Sequence, residues 1–229
     1  MYKTLTFNLA REALGHIVNK YKIKEMKIPY YLCNTVRHTL VKEECKPVFY
    51  HIDDNFFPAE EFKEDDYILY PNYWGICGNN VKKLVNIYPK LIVDNAHAYY
   101  DKPSGFACFN AGHKFGFKNS FLWITDNNYG SNTDIKIDFT AKERQKVFSE
   151  LHEKYKVSNL LSINTDSIPF IYPFVYPFLA KTTEKADILV KQLKKEEGKT
   201  VYRYWNPLPK SFSEYKFYSR LVPIPILPY

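Results

Sequence analysis

The sequence of 229 residues is 45% hydrophobic and 25% charged, which is typical of a globular chain long enough to bury a core. Its net charge of +7 comes from basic residues spread along the chain beside acidic ones, and without a recognition motif this distribution argues against a nucleic-acid-binding protein. No signal peptide is visible, no apolar run reaches the roughly 18 residues of a membrane span, and the four cysteines lack metal-ligand spacing. We therefore expect a cytoplasmic protein with reduced thiols, no metal site and no membrane association.

Hydrophobic periodicity predicts alternating helices and strands over the first two thirds of the chain. The predicted helices cover 8–22, with Asn8 as the N-cap, 34–44 and 80–87. The predicted strands cover 27–30, 47–52, 67–70, 90–93, 105–109 and 121–125. Because this alternation is typical of parallel sheets with helical crossovers, we predict an α/β fold with a doubly wound, mostly parallel sheet.

The last third of the sequence has a different pattern. Residues 126–134 are polar and indicate a loop or a boundary. Helices are predicted at 141–156 and 184–197, and strands at 170–176 and 200–204. We therefore predict a large α/β domain over 1–135 and a small α+β domain over 136–229.

Polar segments follow three of the predicted strands, at the edge where open α/β sheets bind ligands. These segments are 71–75, 94–100 and 110–116. Asp94, which follows an apolar strand, either caps a turn or pairs with a cation at the sheet edge. His97 by itself is more often structural than catalytic. Lys114 lies among aromatic residues, so it is either a solvated loop lysine or a desolvated amine with a depressed pKa, as a Schiff base requires.

The order of several short motifs resembles that of the DegT/DnrJ-type nucleotide-sugar aminotransferases, and in particular their shorter members. These motifs lie at 28–33, 48–53, 70–75, 93–98, 113–115, 172–174, 204–208 and 221–225. The resemblance therefore runs through nearly the whole chain. It implies the large domain of a fold-type-I, pyridoxal-phosphate-dependent aminotransferase.

The resemblance implies a role for each of three polar residues. Asp94 would pair with the pyridinium nitrogen of pyridoxal phosphate and keep it protonated. His97 would contact the ring or the phenolic oxygen of the cofactor. Lys114 would form the internal aldimine and then carry the proton between the substrate carbon and the cofactor.

The resemblance also suggests further cofactor-binding residues and shows where the chain departs from the family. Asn110 and Arg11 are expected to contact the cofactor, and either Tyr31 or Tyr73 is expected to stack on its ring. Family members have a glycine in the turn that receives the phosphate, whereas this chain has Leu9-Ala10-Arg11 there. The residues around Lys114 also differ, and the chain is shorter than typical members.

The implied reaction transfers an amino group from glutamate to a keto sugar nucleotide in surface-polysaccharide biosynthesis, and the excess of aromatic residues suits a homodimer interface. One alternative is a catalytically reduced relative that acts as a sugar-nucleotide-binding or accessory protein. Another is a glycosyltransferase-like enzyme, but Asp53-Asp54 and Asp65-Asp66 are adjacent pairs and no Asp-x-Asp motif follows a strand.

Overall fold

A computed structural model describes residues 2–125, 135–164, 171–196, 198, 200–201, 205 and 207–226. A mixed sheet of seven strands forms its centre, in the order β1-β7-β6-β5-β4-β2-β3. The strands are β1 (Tyr2–Phe7), β2 (Glu25–Pro29), β3 (Lys46–Tyr50), β4 (Ile68–Pro71), β5 (Leu91–Asn95), β6 (Ala107–Asn110) and β7 (Ser120–Thr125). Strands β2 to β6 run parallel, and β7 runs antiparallel to both of its neighbours. The predicted α/β fold class is therefore confirmed.

Helices cover both faces of the sheet. Helices α1 (Ala10–Tyr21) and α2 (Asn34–Lys42) pack on one face, and α3 (Gly78–Ile87) packs on the other. Successive residues of a strand point to opposite faces, so Leu69 of β4 lies in the cluster under α1 and α2 while Tyr70 lies in the cluster under α3. Both are fully buried, as expected for a parallel sheet covered on both sides.

Helix α1 begins two residues later than predicted. Its N-cap is Leu9, in extended conformation, and not Asn8. The Glu12 carboxylate accepts hydrogen bonds from the backbone amides of Asn8 and Leu9, each at 3.2 Å. The side chain of the third helical residue therefore caps this end from inside the helix, which is half of a capping box.

The C-terminal part is a small α+β unit built on a two-stranded antiparallel sheet. It comprises α4 (Phe139–Tyr155), β8 (Val175–Leu179), α5 (Thr183–Glu196), α6 (Tyr215–Arg220) and β9 (Leu221–Pro225). The strand predicted at 170–176 is in fact β8, which begins five residues later. Part of that prediction, most of the strand predicted at 200–204 and the loop predicted at 126–134 lie outside the described residues.

The two predicted domains share one hydrophobic cluster. Phe174, Phe217 and Leu221 from the C-terminal part are buried in the same cluster as Tyr70 and Val93 of the main sheet. The division at 135 remains a prediction, and this packing ties the two parts together closely. In the part of the chain that is described, no helix has both the length and the hydropathy to cross a membrane.

Candidate functional site

A cavity of about 340 Å³ lies at the carboxyl ends of β4, β5 and β6, where the fold class predicts a ligand site. The starts of α1 and α2 form one side of it, and a 3-10 turn, Gly112–Phe115, forms another. Four of the predicted site residues line it, namely Arg11, Asp94, His97 and Lys114. The other lining residues are Leu9, Ala10, Leu14, Leu32, Cys33, Thr35, Val36, Pro71, Asn72, Ala96, Phe109, Ala111, His113 and Trp205.

Asp94 is the only carboxylate among the described lining residues. It lies in β5, one residue before the strand ends, and is 8% exposed. One carboxylate oxygen accepts a hydrogen bond from the Ala96 amide at 2.8 Å. Burial raises the pKa of this carboxyl to about 6, although the Ala96 amide and the charge of Lys114 act in the opposite direction. Burial therefore disfavours the ionised form, and a further cation beside Asp94 would favour it.

Lys114 and His97 form a close polar pair. Lys114 Nζ lies 2.7 Å from His97 Nε2. Burial lowers the pKa of Lys114, while Asp94 and Cys33 act to raise it. Burial and the Lys114 charge together lower the pKa of His97 well below its ordinary value. A neutral imidazole results, so we assign Nε2 as the acceptor and Lys114 as the donor of this hydrogen bond.

The same cavity favours anions at its helical side. Helices α1 and α2 both begin there, and the first amides of a helix have no acceptor within it, although the Glu12 and Val36 amides already donate to the carbonyls of Leu9 and Cys33. Arg11 and His113 add positive or potentially positive groups. Burial lowers the pKa of His113, and so do the nearby charges of Lys114 and Arg11, which means that the three basic groups lie close together. A ligand with one anionic group and one basic ring nitrogen would match these groups and Asp94.

The structure does not bring Asn110, Tyr31 or Tyr73 to the cavity. The Asn110 side chain is buried between strands, where it accepts from the Phe121 amide at 2.7 Å and donates to the Tyr99 carbonyl at 3.2 Å. Tyr73 donates its hydroxyl hydrogen to the Tyr31 carbonyl at 2.9 Å, and both rings lie in the core. These three side chains therefore support the walls of the site and do not face its interior.

Sequence reasoning did not identify several aromatic residues of the site. Phe109 and Trp205 line the cavity. Trp74 and Phe174 lie behind it, with ring centroids 5.2 and 5.0 Å from that of His97. Trp74 and Phe174 belong to segments that carry the family resemblance, so the sequence did single out these two segments. Nothing in the local pattern indicates that these two distant segments meet at His97.

No protein-family model matches the chain, and no curated protein sequence matches it. Solved structures share its fold over nearly its whole length. A DegT DnrJ EryC1 StrS aminotransferase from Brucella abortus has a TM-score of 0.71 at 12% identity, over 99% of this chain and 81% of that chain. The sugar aminotransferase CalS13 from Micromonospora echinospora has a TM-score of 0.68 at 10% identity, over 97% and 82%. NtdA from Bacillus subtilis with the bound cofactor PMP has a TM-score of 0.66 at 12% identity, over 97% and 68%. At these identities the similarity establishes a common fold.

Proposed function

We propose that this chain is a pyridoxal-phosphate-dependent aminotransferase that acts on a sugar. The observation that carries the proposal is the convergence of Lys114 and Asp94 on one cavity at the carboxyl ends of β5 and β6. Solved structures with the same fold support it, among them a sugar aminotransferase and a protein with bound PMP.

The residues of the cavity fit pyridoxal phosphate at both ends of the molecule. The buried carboxyl of Asp94 is suited to a protonated ring nitrogen, because burial disfavours its ionised form and a cation beside it would stabilise that form. The first-turn amides of α1, together with Arg11 and His113, are suited to the phosphate. When bound, the cofactor supplies an electron sink that stabilises negative charge on the substrate carbon.

Lys114 would perform two tasks in this reaction. Its amine would hold the cofactor covalently, which requires the neutral form, and burial shifts the pKa of this amine in the direction that favours that form. Once substrate displaces it, the same amine would move a proton to or from the substrate carbon. Asp94 would meanwhile keep a proton on the ring nitrogen. The contact of His97 Nε2 with Lys114 Nζ and the hydrogen bond from the Ala96 amide to Asp94 would orient these two groups.

The finer assignments rest on the sequence resemblance. We propose glutamate as the amino donor, a keto sugar nucleotide as the acceptor and surface-polysaccharide biosynthesis as the setting. A net charge of +7 suits a substrate that carries a diphosphate. We further propose a cytoplasmic homodimer, since sites of this fold type resemble shared sites completed by a second subunit.

A second candidate function is favoured by the helical side of the cavity. Leu9, Leu14, Leu32 and Val36 give it an apolar lining. The sequence resemblance implies a glycine in this turn, where the chain has Ala10. A side chain at that position keeps a phosphate farther from the backbone amides. A catalytically reduced relative that binds a sugar nucleotide without turnover would have such a site.

The half-reaction with an amino donor distinguishes the two candidates. We expect L-glutamate to change the visible absorption of the cofactor-loaded protein to that of the amine form and to release one equivalent of 2-oxoglutarate. The variant Lys114→Ala should bind cofactor weakly and give no such change. If the loaded wild-type protein keeps its spectrum with glutamate and with other amino acids, the enzyme proposal is wrong and the binding protein is favoured.

A further inference from the structure

The aromatic rings of Trp74 and Phe174 pack against the His97 imidazole and are nearly parallel to it, and the Trp205 ring lies slightly farther away, with centroids 5.9 Å apart. The Trp74 and His97 centroids are 5.2 Å apart, with an interplanar angle of 18°. The Phe174 ring lies 5.0 Å away at 14°. This arrangement leaves the ring edge as the polar part of His97, and Nε2 on that edge lies 2.7 Å from Lys114 Nζ.

The two flanking rings are connected to each other through the backbone. The Phe174 amide donates to the Trp74 carbonyl at 3.3 Å. Trp74 lies in the short 3-10 turn Tyr73–Gly75 that follows β4, and Phe174 comes from the C-terminal part of the chain, so this hydrogen bond joins two distant segments. Gly75, the residue after Trp74, packs closely against two other backbone segments. A Cβ at this position would come within 2.4 Å of the His97 carbonyl oxygen and 3.0 Å of Pro173 Cα. Only glycine allows the three backbones to approach this closely.

The conformation of Trp74 indicates that its position is imposed by this packing. Its φ is +58°, in the left-handed region that bulky residues rarely adopt. Such strain persists where the surrounding structure determines it, and it is concentrated at functional sites. Phe174 also contacts the lysine directly. Lys114 Nζ lies over the Phe174 ring, 5.3 Å from its centroid, which is a cation–π distance.

We propose that His97 is a positioning residue for Lys114, and that Trp74 and Phe174 form an aromatic clamp that holds the imidazole neutral with Nε2 directed at the amine. The role in catalysis rests on the proposed function, while the clamp itself is a property of the protein without cofactor. A neutral acceptor at this distance fixes the lysine nitrogen without adding a second positive charge to the cavity. The amine is therefore held where a carbonyl group can reach it.

Other ionisable groups face this pair and must be included in any pH experiment. Asp94 lies on β5, Arg11 on α1, Cys33 at the start of α2, and His113 on the turn that carries Lys114. Asp94 and Cys33 act to raise the pKa of Lys114. These groups are unchanged in every variant below, so differences between variants report on His97 and its clamp.

The first experiment measures the Lys114 amine in protein without cofactor. The pH dependence of trace acetylation, read by peptide mass spectrometry, gives the pKa of the amine, and exposed Lys118 serves as an internal reference. A neutral acceptor stabilises the ammonium form, so we expect His97→Leu to lower the pKa of Lys114 by about one unit. His97→Gln keeps an acceptor near the Nε2 position and should restore most of the difference. An unchanged labelling curve in His97→Leu, or no rescue by glutamine, would overturn the positioning role.

The second experiment measures the clamp through the imidazole itself. Burial lowers the pKa of His97 well below its ordinary value, so its NMR signal in the wild type should titrate below the ordinary histidine range. Phe174→Leu removes one of the packed rings, and we expect the pKa of His97 then to move towards its ordinary value. Phe178→Leu is the matched control, because Phe178 is a buried phenylalanine of β8 that packs in a separate cluster. An ordinary histidine pKa for wild-type His97, or equal effects of the two substitutions, would contradict the clamp. Both experiments are carried out without pyridoxal phosphate. They can therefore support the positioning role even if the proposed enzyme activity is absent, and they can reject that role even if the activity is present.

Discussion

Asp94 illustrates how a functional carboxylate affects stability at the scale of one residue. Burial raises its pKa from 3.8 to about 6, so between these values the folded state binds more protons than the unfolded state. The free energy of unfolding therefore falls as pH rises from about 4 to 6, and the loss persists at neutral pH. The group is nine-tenths buried, so this loss is of the order of 2 kcal/mol.

We therefore predict that Asp94→Asn stabilises the cofactor-free protein. Asparagine retains the acceptor for the Ala96 amide and removes the charge that burial disfavours. Urea unfolding at pH 7 should show a gain of about 1–2 kcal/mol, and the gain should become small by about pH 3, where the carboxyl is mostly protonated in both states. The same variant should bind pyridoxal phosphate more weakly. Equal stability of the two proteins at pH 7 would contradict this account of the carboxyl.

The sequence allowed some of these residues to be predicted and not others, for a physical reason. Asp94 and Lys114 follow apolar strands, and the family resemblance gave them a common role. Tyr31 and Tyr73 were candidates on the same grounds, but a tyrosine can face either a cavity or the core. Here the hydrogen bond from Tyr73 to the Tyr31 carbonyl keeps both rings in the core. Such a choice depends on packing that local sequence does not describe.

At the scale of single elements, the turn that carries Lys114 depends on Gly112. A Cβ at this position would come within 1.9 Å of the Asn119 carbonyl oxygen, which is backbone and cannot rotate away. The turn is closed by hydrogen bonds from the Phe117 amide to the Gly112 carbonyl, at 2.9 Å, and from the Gly112 amide to Ser120 Oγ, at 3.2 Å. The position of the lysine therefore depends on a close contact between two backbone segments.

We predict that Gly112→Ala lowers the free energy of unfolding by about 2–4 kcal/mol and weakens cofactor binding, because the turn must move. Gly116→Ala is the control within the same turn. Its φ is +82° but no described atom lies within 4 Å of the added Cβ, so it should cost only about 1 kcal/mol. Thermal unfolding and cofactor titration of both variants test this. If the two variants behave alike, the contact with Asn119 does not determine the turn.

The elements themselves were predicted with uneven success. Helices α1 to α5 follow clear hydrophobic periodicity. Strand β1 was missed because it is an edge strand whose residues are mostly half-buried, which leaves a weak alternating pattern. The bounds of β8 were wrong because the segment around it is almost continuously apolar, and a run without a period does not fix where a strand begins.

At the scale of the whole molecule, a buried carboxylate joins the C-terminal part to the main sheet. Glu214 is fully buried. It accepts hydrogen bonds from the Ile52 amide at 2.8 Å, from His51 Nδ1 at 3.0 Å and from Ser213 Oγ at 3.1 Å. His51 and Glu214 are 163 positions apart in the sequence, so this contact joins two distant segments of the chain.

We predict that Glu214→Ala lowers the free energy of unfolding by about 3 kcal/mol, because the Ile52 amide loses its partner and a cavity is left. Exposed Glu61→Ala, the control, should change stability by less than about 0.5 kcal/mol. Far-ultraviolet and near-ultraviolet circular dichroism should report one common transition in all three proteins. Two separate transitions would instead favour independent folding of residues 136–229.

The general architecture could be predicted from the sequence because strand–helix alternation restricts the topology to a few arrangements. The attachment of the C-terminal part could not. Contacts such as those of Phe174 with Trp74 and of Glu214 with Ile52 join segments that are far apart in sequence, and no local periodicity records them. The residues that complete the site from this part of the chain, Trp205 and Phe174, were missed for the same reason.

The central claim, that Lys114 and Asp94 form a cofactor site, is tested most directly by borohydride reduction of the protein mixed with pyridoxal phosphate, followed by peptide mass spectrometry. We expect one stable adduct per chain, located on Lys114. It should persist in Lys118→Arg, be absent from Lys114→Arg and be strongly reduced in Asp94→Asn. An adduct spread over exposed lysines, or none on Lys114, would contradict the account.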